Sequence, residues 1–255
     1  MIMTRIALIT GATSGIGRAA SKKMISLGYK IIITGRRKEL LQSLISEIPK
    51  GNELIIALNF DIRNREETKN AFDSLPETWK KINVLINNAG LAAGADPIDK
   101  GCRDDWERMI DTNIKGLLYI SQIVIPEMIE QKQGHIINIG SIAGHEVYAN
   151  GNVYCASKYA VNAITKGMRI DLLPYNIKVS SVSPGMVETE FSLVRYHGDK
   201  GKAENVYKGL TPLNADDVAD AIEFMVTRPK HVNVNDMILV PAAQASAVYN
   251  YRTGG

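Results

Sequence analysis

The segment Thr10-Gly11-Ala12-Thr13-Ser14-Gly15-Ile16-Gly17 lies between an apolar run, Arg5–Ile9, and a stretch of helical period from Gly17 to Leu27. Glycine lets a chain turn tightly and lets a ligand come close to the backbone. The helix that follows offers free N–H groups and the positive end of its dipole, which is the chemistry that holds a pyrophosphate. A glycine-rich turn carries weight when it leaves a strand and opens a helix, as this one does. Gly11, Ala12, Thr13, Ser14, Gly15, Ile16 and Gly17 are the candidate contacts to such a group.

Outward from this turn, short apolar, β-branched runs alternate with longer helical stretches. The runs are Arg5–Ile9, Lys30–Thr34, Leu54–Leu58, Asn83–Ile86, His135–Ile139, Lys178–Val182 and Asp236–Val240. The helical stretches are Gly17–Leu27, Lys38–Ile48, Arg65–Leu75, Asp104–Gln131, Asn152–Pro174 and Ala215–Thr227. Strands buried on both faces read as continuous apolar runs. The alternation therefore predicts an α/β fold: a Rossmann-like, doubly wound parallel sheet of about seven strands, helices on both faces. No linker or repeat divides residues 1–255, which read as a single domain. The polar segment 188–212 has no clear element. Long irregular segments in compact domains are often lids, so it is read as a substrate-binding lid, with a surface excursion as the alternative.

Composition narrows the function classes. The 255 residues are 45% hydrophobic and 22% charged, with 30 basic and 27 acidic side chains and a net charge of +3. That balance gives no footprint for nucleic acid or a membrane surface. Cys102 and Cys155 lack zinc spacing and cannot make a disulfide framework, and His135, His145, His197 and His231 are scattered, so no metal site is expected. Met1–Thr4 run into the first strand without a leader pattern, and no apolar stretch approaches the ~20 residues of a membrane helix. A cytoplasmic setting is the expectation.

The glycine spacing is Gly-x-x-x-Gly-x-Gly, and further motifs follow in order. They are Asn87-Asn88-Ala89-Gly90 after the fourth strand, Asn113 in the long helix, Ser141 after the fifth strand, Tyr154-Cys155-Ala156-Ser157-Lys158, and Pro184-Gly185 after the sixth strand. Over essentially the whole chain this order resembles the short-chain dehydrogenase/reductase family. The resemblance implies an oxidoreductase acting on CH–OH groups, with a nicotinamide cofactor and a homotetrameric assembly. It places Asp61 and Ile62 near the adenine, with a helix cap before Arg65 as an equal reading for Asp61. It places Asn88, Ala89, Gly90, Pro184, Gly185, Val187 and Thr189 along the rest of the cofactor.

The second strand ends in Thr34-Gly35-Arg36-Arg37-Lys38. An acid at this point would bond a ribose 2′-hydroxyl and select NAD. None is present, and a guanidinium grips a 2′-phosphate with charge-assisted bonds. Arg36 and Arg37 therefore predict NADP.

Oxidising an alcohol needs a base, and a free tyrosine, with a pKa of ~10, is a poor one at neutral pH. Lys158 is four residues beyond Tyr154 on one helix face, where its charge would favour phenolate. Ser141 is placed to hold the substrate oxygen. Ser141, Tyr154, Lys158 and Asn113 are the expected catalytic set. For Asn113 the resemblance implies a water-linked proton path to the lysine, and a plain polar helix residue is the alternative. Cys155 is read as a packing residue.

The stretches around Asn113, Ser141 and Tyr154, with Glu190-Phe191-Ser192-Leu193-Val194-Arg195 and His231-Val232-Asn233-Val234-Asn235, look most like the NADP-dependent 3-hydroxy acid dehydrogenases. Those enzymes oxidise serine, L-allo-threonine and simple 3-hydroxy acids and reduce malonic semialdehyde. This chain departs from their pattern at Val187-Glu188, where relatives often carry a further glycine-rich residue. A carboxylate substrate calls for a cation, and Arg195 is the first candidate anchor. His145, Tyr148 and Tyr196 come second, and Ser141 and Tyr154 complete the substrate contacts. A 3-oxoacyl-carrier-protein reductase and a non-catalytic NADP-binding regulatory protein stay open as alternatives.

Overall fold

A computed structural model describes residues 5–254. The reading of Met1–Thr4 lies outside the described residues. The first half of the chain forms β1 (Ile6–Ile9), α1 (Gly15–Ser26), β2 (Lys30–Gly35), α2 (Lys38–Glu47), α3 (Gly51–Leu54), β3 (Ile55–Asn59), α4 (Arg65–Asp73), α5 (Glu77–Lys80) and β4 (Val84–Asn87). Next come α6 (Arg103–Ile110), a π-helical turn (Asp111–Gly116), α7 (Leu117–Gln131) and β5 (Gly134–Ile139). The remainder forms α8 (Asn152–Asp171), β6 (Ile177–Pro184), α9 (Phe191–Arg195), α10 (Lys200–Asn205), α11 (Ala215–Val226) and β7 (Asp236–Leu239).

The strands make one parallel sheet of seven in the order β3-β2-β1-β4-β5-β6-β7. Alternate side chains explain why both faces are covered. Ala7, Ile9, Ile31 and Ile33 point to one face, where Met24 of α1, Leu41 and Leu44 of α2 and Ile222 of α11 pack on them. Leu8, Ile32, Leu85 and Ile136 point to the other, against Phe72 of α4 and Ile120, Val124 and Met128 of α7. Each large side chain buried this way contributes about 1.5–3 kcal/mol. The chain leaves β1 toward β2 on one side and β4 on the other. Ligands of such sheets bind at this reversal, beyond the carboxyl ends of the strands.

All seven expected strands are present. The open edge differs from the expectation of strands buried on both faces: in β7, Asp236 and Ile238 are exposed. An edge strand lacks a neighbour to cover it. The stretch expected as one helix, Asp104–Gln131, is interrupted by the π-helical turn. The segment 188–212 holds two short helices, α9 and α10, where the sequence suggested irregular chain. Among the described residues no helix is long and apolar enough to cross a membrane, and no group of three or more His, Cys, Asp or Glu could hold a metal ion.

Candidate active site

A cavity of about 840 Å³ runs along the carboxyl ends of the strands, from Arg36 and Asp61 at one end to Tyr154 and Arg195 at the other. Its floor is the glycine-rich turn. Gly11 and Gly15 adopt φ of +66° and +51°, where other side chains are strained. A Cβ on Gly17 would stand 2.4 Å from both the Asn88 amide nitrogen and the Gly11 carbonyl oxygen. Ser14 precedes α1 in extended conformation and makes no side-chain bond to its first turn. The first-turn N–H groups therefore keep their capacity for an anion. Ala12 is wholly buried and gives its N–H to the Thr34 carbonyl. Ala12 and Gly17 shape this floor from behind, while Gly11, Thr13, Ser14, Gly15 and Ile16 line the cavity.

The end of β4 is tied to this turn. Thr10 Oγ1 accepts the N–H groups of Asn88 and Ala89 at 3.0 and 2.9 Å. The Asn88 amide donates to the carbonyls of Thr10 and Gly11 at 2.8 and 3.1 Å. Asn88, Ala89 and Gly90 all line the cavity, and here the Asn88 side chain holds the wall together.

At the end of the cavity beyond β2 and β3, Arg36 lies 3.9 Å from Asp61. Arg37 donates to Thr13 and Ser14 at 3.0 and 2.9 Å and meets Glu190 at 2.8 Å. Asp61 accepts the N–H and the guanidinium of Arg63. Partial burial opposes ionisation of Asp61, but its bonds to Arg63 prevail and hold the carboxyl below the usual range. The cap of α4 is Asn64, whose side chain accepts from Glu66 and Glu67, so the cap reading for Asp61 is corrected. Ile62 lines the cavity and also packs on Gly116, where a Cβ would come within 2.9 Å of it.

At the other end, Ser141, Tyr154 and Lys158 come together, all buried. Ser141 Oγ accepts from the Ala143 N–H at 3.1 Å. Phe191 of α9 meets the Tyr154 ring edge-on, with centroids 5.7 Å apart. Lys158 Nζ donates to the Ile139 carbonyl at 2.9 Å. Burial and the neighbouring Tyr148 push the Tyr154 phenol well above its ordinary value, against the pull of Ser141 and Arg195. Burial pushes the Lys158 ammonium down to about 8. The expectation that Lys158 lowers the phenol is therefore corrected for the protein alone: desolvation dominates both groups, and the lysine's hydrogen bond goes to backbone.

Asn113 lies behind the cavity wall. Its amide exchanges two bonds with the Leu91 backbone, at 2.8 and 2.9 Å, and donates to Ser157 Oγ at 2.9 Å. A Cβ on Gly90 would lie 3.2 Å from Asn113 Oδ1 and 3.5 Å from Lys158 Nζ, so both atoms face that glycine.

Of the expected substrate contacts, Tyr148 and Arg195 line the cavity with Tyr154. Arg195 donates to the Tyr148 hydroxyl at 2.9 Å and to the Gly94 carbonyl at 3.3 Å, with its guanidinium carbon 5.9 Å from the Tyr154 ring centre. Tyr196 lines the same wall. His145 does not line the cavity, which corrects its place among the substrate contacts. Its ring turns toward Ser183 and Asn162, at 3.1 and 3.2 Å.

Beyond β6, Gly185 donates to the Leu239 carbonyl at 2.7 Å and Met186 to Gln244 Oε1 at 2.9 Å. Val187 pairs with Leu213, and its carbonyl accepts from Tyr207 at 2.9 Å. Pro184, Gly185, Val187 and Thr189 all line the cavity. Sequence reasoning missed Gln244, Glu190, Phe191, Tyr207, Arg108 and His197 as lining residues. Only Glu190 and Phe191 carried a signal, being adjacent to Thr189.

The arrangement can hold an extended anionic dinucleotide, with a proton-transfer group and a cation at its far end. Comparison with known proteins agrees. The family model described as short chain dehydrogenase matches residues 5–198. The NADP-dependent 3-hydroxy acid dehydrogenase YdfG of Escherichia coli (strain K12) is 46% identical over 246 residues, covering 96% of this chain and 98% of the relative. The serine 3-dehydrogenase of Agrobacterium fabrum is 41% identical over 245 residues, covering 96% and 97%. The structure described as the closed form of serine dehydrogenase complexed with NADP+ superposes with a TM-score of 0.92 at 44% identity, covering 97% of this chain and 99% of that one. The first six strands, the glycine-rich turn and the Tyr154–Lys158 helix thus fall within the span that the family model matches, and the chain belongs to the short chain dehydrogenase family.

Proposed function

We propose that this protein is an NADP-dependent oxidoreductase that interconverts 3-hydroxy acids, of the serine, L-allo-threonine and 3-hydroxypropionate type, with their 3-oxo acids or semialdehydes. The relatives' names support the substrate class. The observation that carries it is Arg195, a buried-side guanidinium held beside Tyr154 in the same cavity as Ser141. A cation in a low-dielectric cleft suits a substrate carboxylate, and a guanidinium can bind it through two parallel bonds.

When bound, NADP supplies the hydride acceptor or donor. Arg36 and Arg37 hold its 2′-phosphate, and the turn from Gly11 to Gly17 holds its pyrophosphate. Asp61, Ile62, Asn88, Ala89 and Gly90 border its adenosine side, and Pro184, Gly185, Val187 and Thr189 its nicotinamide side. In reduction, Tyr154 gives its phenolic proton to the substrate oxygen while Ser141 hydrogen-bonds that oxygen. In oxidation the Tyr154 phenolate takes the proton from the substrate hydroxyl and returns to the phenol, with Lys158 and Arg195 as the nearby positive charges. Asn113 keeps the wall beside Lys158 in place. Residues 188–212 close over the substrate, and residues 1–255 work as one domain, in the cytoplasm, as a homotetramer.

Replacing Arg195 by Ala tests the carboxylate anchor. Oxidation of L-serine and 3-hydroxypropionate, followed by NADPH formation, should lose kcat/KM by about 100-fold, as expected for a lost charge-assisted pair. Reduction of a neutral ketone should fall much less. Equal losses on both substrates would refute the anchor.

A further inference from the structure

Glu190 stands at the N-terminal end of α9, on the segment that follows the nicotinamide-side loop, yet its carboxylate reaches across to the adenosine side. It sits 2.8 Å from the Arg37 guanidinium. Arg37 in turn donates to Ser14 at 2.9 Å and Thr13 at 3.0 Å. An anion is therefore seated on a guanidinium that two hydroxyls hold at the mouth of the glycine-rich turn, and a guanidinium so fixed is the chemistry that recognises a phosphate monoester. The contact is not an accident of a long side chain in open solvent. The neighbouring Thr189 methyl would lie 3.1 Å from a Cβ on Gly15, so this strip of chain rests directly on the turn. Among the described residues Arg36 offers no equivalent: Asp61 is 3.9 Å away and already bonded to Arg63.

We propose that Glu190 is an internal stand-in for the 2′-phosphate of NADP, occupying Arg37 until the phosphate displaces it. This rests on the NADP reading above. Two anions cannot share one guanidinium edge without repulsion, and a phosphate monoester carries more charge than a carboxylate. Glu190 and Arg37 are each about half exposed, so their pair is weak enough to yield. NAD lacks the phosphate and leaves the pair intact. Glu190 is then a specificity-determining residue that restrains NADP affinity and links the adenosine end of the cavity to the segment carrying Phe191 and Arg195.

The test is equilibrium binding of NADP+, NAD+ and 2′,5′-ADP by titration calorimetry, with no turnover involved. Glu190→Gln keeps the shape and removes the charge. It should tighten NADP+ and 2′,5′-ADP about fivefold, a difference typical of one exposed charge pair, and shift NAD+ by less than half as much. In an Arg37→Ala background the same substitution should have no effect, because the shared cation is gone. Unchanged or weaker NADP+ binding in Glu190→Gln, equal tightening of NAD+, or a full effect without Arg37 would each overturn the proposal. The cofactor reading is judged separately, by the wild-type chain's own ratio of NADP+ to NAD+ affinity. A wild-type preference for NAD+ would refute that reading, whereas the competition stands or falls on the variant-to-wild-type ratio.

Discussion

Tyr154 and Lys158 sit at the spacing that the sequence makes obvious, and Ser141 is where a residue after the fifth strand should be. Their partners are a different matter. The Ile139 carbonyl that accepts from Lys158 and the Arg195 guanidinium beside Tyr154 are brought in by β5 and α9, from 19 and 41 residues away in sequence. The consequence is chemical. Burial holds the phenol protonated at neutral pH, so the protein's own groups prepare the acid needed for reduction, and phenolate is the minority form. The sign for oxidation follows: the base form grows as pH rises, by up to about tenfold per unit below the phenol's pKa. Lys158 works against this above about 8, where it loses its charge. The rate of L-serine oxidation with NADP+ should therefore climb steeply between neutral pH and about 8 and then flatten. A pH-rate profile measured with saturating cofactor checks it, and a flat profile across that range would contradict a raised phenol. Tyr154→Phe should lose about two to four orders of magnitude in kcat while still binding NADP+.

The elements divide by where their stabilisation comes from. Strands such as Lys30–Gly35 and Gly134–Ile139 were legible because burial on both faces writes an unbroken apolar run. The edge strand Asp236–Leu239 was legible by its composition, but its exposure depends on having no neighbour beyond it. The π-helical turn at Asp111–Gly116 left no mark, because the apolar spacing continues from α6 into α7 across it. It is fixed from outside, by the Asn113 amide bonding both backbone groups of Leu91 and the Ser157 hydroxyl. Asn113→Ala would leave the buried Leu91 N–H and carbonyl unpaired. Urea denaturation should show a loss of about 1–3 kcal/mol per unsatisfied group, and unchanged stability would mean the amide is dispensable. Gln244, the Arg37 partnership of Glu190 and the short helices α9 and α10 were illegible for the same reason: the contacts are made across the fold, and five or six residues carry too little period to read.

At the scale of the whole molecule, the outer face of α8 is the feature that the single chain does not account for. Ala156, Tyr159, Ala163 and Ile170 are exposed along it at helical spacing, with Ala160 half-buried. A Cβ on Gly167 would meet nothing within 4 Å. The opposite face of the same helix carries Tyr154 and Lys158 into the cavity. Small residues in a row let a second helix approach closely, and Tyr159 and Ile170 beside them, exposed by 43% and 74%, supply apolar area to bury. Phe224 on α11 is also exposed, on the face of the sheet opposite α8. Two separate self-complementary faces are what a tetramer with crossed two-fold axes requires, whereas one face would stop at a dimer. The expected outcome is a homotetramer by multi-angle light scattering. Ala163→Arg places a cation in the middle of the α8 face and should shift the mass to dimers held by the face that carries α11. A wild-type monomer would end the tetramer reading, and an Ala163→Arg tetramer would remove α8 from the interface.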